Sequence, residues 1–257
     1  MKRVLTALVL IPPVSYVVLW APYWLFVAVV ALVALLCYHE YSGIVSAYGI
    51  EKPGLVGYVA GLLVLFVNRE EALVVTLIAL VALALIASSN DLARGLPRAA
   101  ALVLGAAYIF GAWKCAIGLR AQNPYFLFFV LVLNWVGDIA GYYAGRAVGL
   151  HKLAPRISPA KSWEGTIASL AASVVFGLLY LGNVAPSVSW SHRILLSAAG
   201  NAAGQLGDLS ESALKRGAGV KDSGTLLPGH GGWLDRVDST LFTLPVIYFL
   251  LSQPWRN

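Results

Sequence analysis

Apolar runs long enough to cross a bilayer recur along almost the whole chain, and no other feature constrains the fold as strongly. A transmembrane helix needs about 20 mostly apolar residues. Cut at charges and turn residues, the runs give nine candidate crossings near residues 4–20, 22–38, 53–68, 72–88, 99–119, 124–145, 163–182, 192–213 and 238–252. The sequence therefore predicts an all-α, polytopic integral membrane protein with about nine transmembrane helices.

The composition supports this prediction and excludes a large soluble domain at either end. Of the 257 residues, 59% are hydrophobic and 12% charged, whereas a soluble domain has about a quarter charged residues. The apolar run after Arg3 begins like a signal peptide, but no small-residue cleavage site follows it, so we interpret it as a retained first crossing. Cys37 and Cys115 both lie in apolar runs and predict neither a disulfide framework nor a thiolate metal cluster.

The basic residues predict the orientation in the membrane. If the N-terminus is cytoplasmic, thirteen Lys and Arg fall in inner segments and four in outer ones, namely Arg69, Arg120, Arg193 and Arg256. This bias follows the positive-inside rule. It places two long polar loops, 146–162 and 214–237, on the cytoplasmic face of the cell inner membrane. The basic residues form no run typical of nucleic-acid binding, so no nucleic-acid partner is expected.

The acidic residues predict where the chemistry lies. Seven of the twelve fall between residues 138 and 238: Asp138, Glu164, Asp208, Glu211, Asp222, Asp235 and Asp238. We therefore expect residues 1–120 to form a membrane scaffold and residues 121–257 to form the catalytic half, with the active site built by the two polar loops.

A polar stripe runs along the eighth candidate crossing. Its members are spaced by 4, 3, 4 and 3 residues and so share one helical face: Asn201, Gln205, Asp208, Ser212 and Lys215. The two amides could equally form a hydrogen-bonded seam between helices. A carboxylate near membrane depth is costly unless it is paired, so Asp208 indicates a cation or metal partner. The sixth crossing carries a fainter stripe of Asn134, Asp138 and Tyr142.

The loop after this stripe has a composition typical of phosphate binding. Glycines let backbone N–H groups approach an anion, and four cations accompany them, namely Lys215, Arg216, Lys221 and Arg236. No Walker A motif occurs in the chain. His230, between glycines, could donate to phosphate, move a proton or make a structural hydrogen bond.

Three carboxylates predict a metal site. Asp235 and Asp238 lie one helical turn apart at the start of the last crossing, where they could instead complement the helix dipole. With Asp208 on another helix, they form an all-oxygen set suited to Mg²⁺. The first polar loop offers Ser158, Lys161 and Ser162 as an anion cradle at a helix start, or as an N-cap with interfacial anchors.

The loop residues together carry a resemblance to a known family. The run from Ser212 through Lys215-Arg216, Lys221-Asp222-Ser223-Gly224 and Pro228-Gly229-His230-Gly231-Gly232 to Asp235-Arg236-x-Asp238 resembles the signature of the phosphatidate cytidylyltransferases, also called CDP-diglyceride synthases. The run from Asp138 to Gly165 is similar to a second block of that family. The resemblance covers about the C-terminal half of the chain, with the signature at 212–239.

The resemblance implies transfer of a cytidylyl group from CTP to phosphatidate, giving CDP-diacylglycerol and pyrophosphate. On this basis the expected catalytic residues are Asp208, Lys215, Asp235 and Asp238, with Asp208, Asp235 and Asp238 holding Mg²⁺. The expected substrate-binding residues are Ser158, Lys161, Ser162, Ser212, Arg216, Lys221, Asp222, His230 and Arg236. The expected partners are CTP, phosphatidate and membrane lipid, and a homodimer is compatible with the sequence.

Two alternatives stay open at this point. One is CTP-dependent transfer to another lipid phosphate or an isoprenoid alcohol. The other is a membrane transporter, whose broken helices and midplane charges would also produce polar stripes.

Overall fold

The chain is almost entirely helical. The computed structural model describes residues 2–69, 71–87, 91–226 and 231–253, with side chains from residue 11 onward. Within these ranges the helices are α1 (Lys2–Leu19), α2 (Tyr23–Ala47), α3 (Gly54–Phe66), α4 (Glu71–Ala87), α5 (Leu92–Gly105), α6 (Ala112–Gln122), α7 (Pro124–Val148), α8 (Trp163–Val184), α9 (Trp190–Gly217) and α10 (Leu234–Ser252). A π-helical turn, Ala106–Gly111, joins α5 to α6.

Each predicted apolar segment falls on one or more of these helices. The prediction of an all-α fold is therefore confirmed. The fifth segment is longer than predicted, because α5, the π-helical turn and α6 run on without a break from Leu92 to Gln122. The first polar loop has regular structure, which the sequence pattern did not predict. It contains an antiparallel hairpin of β1 (Lys152–Ala154) and β2 (Ser158–Ser162). Pro155 and Pro159 cannot donate helical hydrogen bonds, which disfavours a helix in this loop.

Several helices have the length and composition of membrane spans. Among the residues that the structure describes, four helical runs are long and apolar enough to cross a bilayer: Tyr23–Ala47, Leu92–Gln122, Pro124–Val148 and Trp163–Val184. Helices α3 and α4 are apolar but shorter. They also expose large apolar side chains, including Leu55 and Leu73, as lipid-facing helices do. The chain is therefore a helical membrane protein, and the number of crossings stays a prediction.

The chain divides into two compact units. Unit 1 comprises Met1–Pro22, Gly118–Ala213 and Val237–Asn257, and unit 2 comprises Tyr23–Ile117 and Leu214–Arg236. This division reflects which residues contact one another. The predicted division at residue 120 separates a scaffold half from a catalytic half, and it stays a prediction.

Unit 1 is built on the pairing of α7 with α8. The Phe129 and Phe176 rings stack with centroids 6.0 Å apart. A Cβ atom at Gly165 would lie 2.8 Å from the carbonyl oxygen of Gly141, so only glycine allows the two backbones to approach this closely. The buried Arg120 donates to the carbonyl oxygens of Val18 and Ala21 at the end of α1.

Unit 2 packs α4 against α5 and packs α3 against the π-helical turn. One buried apolar cluster holds Ala60, Ile78, Ala82, Ala99 and Leu102 together. Within the apolar run of α6, the ammonium of Lys114 lies 3.0 Å from the Glu71 carboxylate. The unit also contains the end of α9 and most of the second polar loop, so apolar helices support that loop.

Candidate functional site

The amides of the polar stripe form a seam between helices in unit 1. The side-chain nitrogen of Asn201 donates to the hydroxyls of Ser169 and Ser173 on α8, each at 2.9 Å. Gln205 in turn donates to the side-chain oxygen of Asn201 at 2.5 Å. Asn201 and Ser173 are buried, so these bonds satisfy polar groups that water does not reach. The two amides could belong either to a functional polar stripe or to a hydrogen-bonded seam between helices, and the structure favours the seam.

Asp208 is paired with a cation, as its position in the stripe predicts. The Lys161 ammonium lies 2.6 Å from its Oδ2 atom. Ser212, one turn along α9, donates to Oδ1 at 3.3 Å. Lys161 belongs to β2, so the hairpin brings a residue of the first polar loop to the stripe. The structure thereby joins two predicted site residues that are far apart in sequence.

Three further carboxylates of unit 1 are linked electrostatically to Asp208 or to one another. With it they form what we call the acidic cluster: Asp138, Asp208, Glu211 and Asp238. Asp138 on α7 is an electrostatic neighbour of Asp208 and Lys161. Asp238 on α10 is an electrostatic neighbour of the other three carboxylates. Glu211 is fully buried. Sequence reasoning counted Glu211 among the acidic residues but assigned it no role, although it lies only three residues after Asp208.

The acidic cluster has the donor chemistry that Mg²⁺ prefers. In the described part of the chain, no three His, Cys, Asp or Glu side chains converge closely enough to hold a metal by themselves. Mg²⁺ is usually bound by one or two carboxylates, and substrate phosphates and waters complete its octahedron. The all-oxygen donor chemistry of this cluster therefore fits the ion.

In unit 2 the signature residues fold around an ion pair between Lys215 and Asp235. Their charged atoms are 2.5 Å apart, and their side chains are 10% and 7% exposed. Asp235 Oδ2 also accepts hydrogen bonds from the backbone N–H groups of Ser223, at 3.0 Å, and Gly232, at 2.8 Å. Gly231 has φ of +81°, which a side chain would strain.

These contacts determine the charge state of Asp235, which precedes the predicted crossing 238–252. Burial alone would raise its pKa, but the hydrogen bonds from Lys215, Gly232 and Ser223 outweigh burial and hold the pKa below its usual value. The stabilisation that comes from ionised Asp235 is therefore complete above the ordinary carboxyl range and is lost only as the pH falls through the lowered pKa.

Glu40 of α2 is part of the same arrangement, and sequence reasoning missed it. Its carboxylate accepts hydrogen bonds from the hydroxyl of Ser223 at 2.9 Å and from the backbone N–H groups of Trp233 at 3.0 Å and Leu234 at 2.8 Å. Glu40 is buried. The available signal was a carboxylate at the end of an apolar run, where an ionisable residue by default indicates function.

The structure places the remaining predicted residues individually. Ser162 is the N-cap of α8 and accepts a hydrogen bond from the Gly165 N–H at 3.2 Å. Ser158 begins β2 and does not lie at a helix start, because the hairpin precedes α8, so its predicted position is wrong. Its role in anion binding stays a prediction. The exposed residues are Arg216, Lys221, Asp222 and Arg236. His230 lies outside the described residues.

The predicted metal ligands are divided between the two units. Asp208 and Asp238 belong to unit 1, and Asp235 belongs to unit 2. Asp235 and Asp238 lie on the first turns of α10, as predicted. That all three hold one ion stays a prediction.

Comparison with known proteins gives a family match over nearly the whole chain. The sequence model of the Cytidylyltransferase family matches residues 1–253. The chain is 39% identical over 154 residues to a phosphatidate cytidylyltransferase of Bacillus subtilis, covering 59% of this chain and 57% of the relative. It is 39% identical over 146 residues to the enzyme so named in Haemophilus influenzae, covering 54% and 51%. The relative from Brucella suis is 42% identical over 158 residues, covering 60% and 56%. The aligned part thus spans little more than half the length of these curated relatives.

Proposed function

Because the chain belongs to the cytidylyltransferase family, we propose that it transfers a cytidylyl group from CTP to phosphatidate, forming CDP-diacylglycerol and pyrophosphate. The observation that carries this proposal is its identity of 39% to 42% with three bacterial proteins named phosphatidate cytidylyltransferase. The acidic cluster and the cation-rich signature residues supply the two kinds of charge that a nucleoside triphosphate reaction needs.

The proposed reaction is an in-line displacement at the α-phosphorus of CTP. A phosphate oxygen of phosphatidate forms the new bond to phosphorus. The bond from that phosphorus to the oxygen bridging to the β-phosphate breaks, and pyrophosphate leaves with the electron pair. A phosphomonoester attacks as a dianion, so no strong general base is required. The protein's task is to position the substrates and neutralise charge.

In unit 1 the proposed roles belong to the acidic cluster and the hairpin. Asp208 and Asp238 would hold Mg²⁺, with Asp138 as the next candidate ligand. When bound, the ion would neutralise charge on the triphosphate and on the departing pyrophosphate. Lys161, which is already oriented by Asp208, would contact the lipid phosphate or the nucleotide together with Ser158.

In unit 2 the proposed role of the signature residues is to bind CTP. The triphosphate would contact Lys215, Arg216, Lys221 and Arg236, and His230 is assigned to binding. Asp235 holds the Lys215 ammonium in place and is also a proposed Mg²⁺ ligand. Asp222 lies in an exposed turn beside Lys221, where it would orient that lysine or the cytidine. Ser212 and Ser162 complete the proposed substrate-binding set.

The proposed topology is nine crossings in the cell inner membrane with a cytoplasmic N-terminus. Residues 1–120 would serve as scaffold and residues 121–257 as the catalytic half, and the chain could assemble as a homodimer. The positive-inside bias supports a cytoplasmic position for both polar loops and the active site.

Labelled CTP tests the reaction directly. Purified protein is incubated with CTP, Mg²⁺ and phosphatidate, and label from the α-phosphate is expected in the lipid while label from the γ-phosphate appears only in pyrophosphate. Label from the γ-phosphate in the lipid would indicate a lipid kinase. If label from the α-phosphate enters a different lipid phosphate or an isoprenoid alcohol but not phosphatidate, the acceptor in the proposed reaction is wrong. Flux of intact substrate without turnover would indicate transport.

Thiol labelling tests the topology. In a background without Cys37 and Cys115, cysteines replace Arg156, Thr225 or Asn183, all of which are exposed. An impermeant reagent added to intact cells should label only the variant at Asn183. Labelling at positions 156 and 225 from outside would overturn a cytoplasmic active site.

A further inference from the structure

We propose that Glu40 is a positioning residue for the signature segment, which we define as Lys215–Leu226 and Gly231–Arg236. The expected effects on CTP kinetics rest on the proposed function, whereas the contacts of Glu40 do not. Glu40 lies in α2, more than 170 residues before the segment, and touches it through Ser223, Trp233 and Leu234.

The carboxylate of Glu40 is matched to these donors. A buried carboxylate is costly unless several donors replace its water. One oxygen accepts from the Trp233 N–H, and the other accepts from the Leu234 N–H and the Ser223 hydroxyl. Leu234 is the first residue of α10, and an N–H group at a helix start has no partner within the helix. Glu40 therefore caps α10 from a different helix and determines where that helix begins.

The same contact extends to the ion pair through Ser223. The Ser223 hydroxyl donates to Glu40 and accepts from the Asp235 N–H at 3.3 Å, while the Ser223 N–H donates to the Asp235 carboxylate. Asp235 in turn binds Lys215. A continuous chain of hydrogen bonds thus runs from Glu40 to Lys215, and Glu40 acts on the site without contacting substrate.

Two glycines of the segment leave room for the carboxylate. A Cβ atom at Gly232 would lie 2.3 Å from Glu40 Oε2, and one at Gly224 would lie 2.6 Å from Oε1. Both distances are far below contact distance, so a side chain at position 224 or 232 would displace the Glu40 carboxylate.

The test is Glu40→Gln in the full-length protein, with Glu51→Gln as the matched control. Glutamine keeps the shape but places an NH₂ group against a backbone N–H donor. Glu51 is also a carboxylate of unit 2, paired with Arg98 at 2.7 Å, but its side chain is 70% exposed. We expect Glu40→Gln to raise the KM for CTP and to lower kcat/KM for CTP by about tenfold or more. We expect the KM for phosphatidate to change less than about twofold, and Glu51→Gln to match the wild type.

The KM values separate positioning from general damage. Partial unfolding removes active enzyme and so lowers the apparent kcat without changing either KM. Unchanged CTP kinetics in Glu40→Gln, or a fall in kcat with both KM values unchanged, would overturn the inference.

Hydrogen exchange tests the geometry without any turnover. In Glu40→Gln, the amides of Trp233 and Leu234 should exchange at least about tenfold faster than in the wild type, while those of α7 keep their wild-type rates. If the wild type has no cytidylyltransferase activity, the proposed function fails and this measurement still decides the role of Glu40. Unchanged exchange at both amides overturns the positioning role.

A second variant covers the case in which Glu40→Gln does not fold. Ser223→Ala removes the hydroxyl that donates to Glu40 and accepts from the Asp235 N–H, so Glu40 is no longer connected to Asp235 through that hydroxyl. It leaves the Glu40 carboxylate, its two backbone bonds and the bond from the Ser223 N–H to Asp235. We expect a rise of about threefold to tenfold in the KM for CTP. Wild-type CTP kinetics in Ser223→Ala would then overturn the inference.

Discussion

The acidic cluster of unit 1 and the signature segment of unit 2 handle charge in opposite ways. The cluster brings Asp138, Asp208, Glu211 and Asp238 together with Lys161 as the cation paired to Asp208. In the signature segment, by contrast, the cations outnumber the carboxylates. Asp235 there is neutralised by Lys215 and by backbone donors.

The difference indicates which ligand each region suits. Like charges held close together favour an added counter-charge, so the acidic cluster suits a metal cation. In the signature segment the Asp235 carboxylate is already neutralised and several cations are exposed, so the segment suits a polyanion such as a triphosphate. The variants below test whether this division of roles holds.

Asp208→Asn should have the largest effect. The substitution keeps the shape but removes the charge that the metal requires, so turnover should fall at least about a hundredfold while the protein still inserts and folds. Transfer of α-phosphate label from CTP into lipid measures this loss. Ser212→Ala removes a hydrogen bond to Asp208 and a proposed substrate contact but no charge, so its turnover should fall less than about tenfold. Near-normal turnover and Mg²⁺ dependence in Asp208→Asn would make Asp138 the next ligand to test.

Asp235→Asn should also lower turnover at least about a hundredfold. Its Mg²⁺ dependence tests whether Asp235, in the signature segment, also holds the metal. Asparagine can still accept from the Ser223 and Gly232 N–H groups, so the segment should stay folded. If Asp235 is also a metal ligand, the Mg²⁺ concentration for half-maximal rate should rise. Lys215→Met breaks the same ion pair and should leave that concentration nearly unchanged. An identical Mg²⁺ requirement in both variants would restrict the metal site to unit 1.

Asp222→Asn should have a smaller effect, confined to CTP. Its side chain lies in an exposed turn. We expect the KM for CTP to rise by about threefold to tenfold, with the Mg²⁺ requirement nearly unchanged. Steady-state kinetics at several Mg²⁺ concentrations measure both quantities. A shift in the Mg²⁺ requirement would assign Asp222 to the metal and contradict the division of roles.

Asn201→Ala should have the smallest effect on catalysis, because the amide belongs to the seam between α8 and α9. Losing its two bonds to Ser169 and Ser173 should lower the stability by about 1 kcal/mol, typical of interhelical hydrogen bonds in membranes. Unfolding in detergent measures the loss, and both KM values should be unchanged. A change in KM above about threefold would show that the polar stripe contacts substrate at this depth.

The helices and the polar stripe were predictable because both depend on local periodicity. Runs of about 20 apolar residues have few alternatives to a helix in lipid, and residues spaced by three and four share a face of any helix. Asp208 could thus be assigned a cationic partner before that partner was known. The hairpin was missed because its strands are only 3 and 5 residues long, too short for an alternating pattern to show.

The sequence by itself was enough to predict a helical membrane protein, to identify the family signature and to identify the carboxylates in and near that signature. The tertiary structure decided which of those charges meet. Lys161 reaches Asp208 only because the hairpin folds back toward α9, and Glu40 reaches Ser223 only because α2 packs within the same unit as the signature segment. The physical reason is that a buried charge or hydrogen-bonding group requires a partner, but the sequence around that group does not show where in the chain the partner lies. When the partner lies 183 residues away, as Ser223 does from Glu40, only the packing of the helices between them determines the contact.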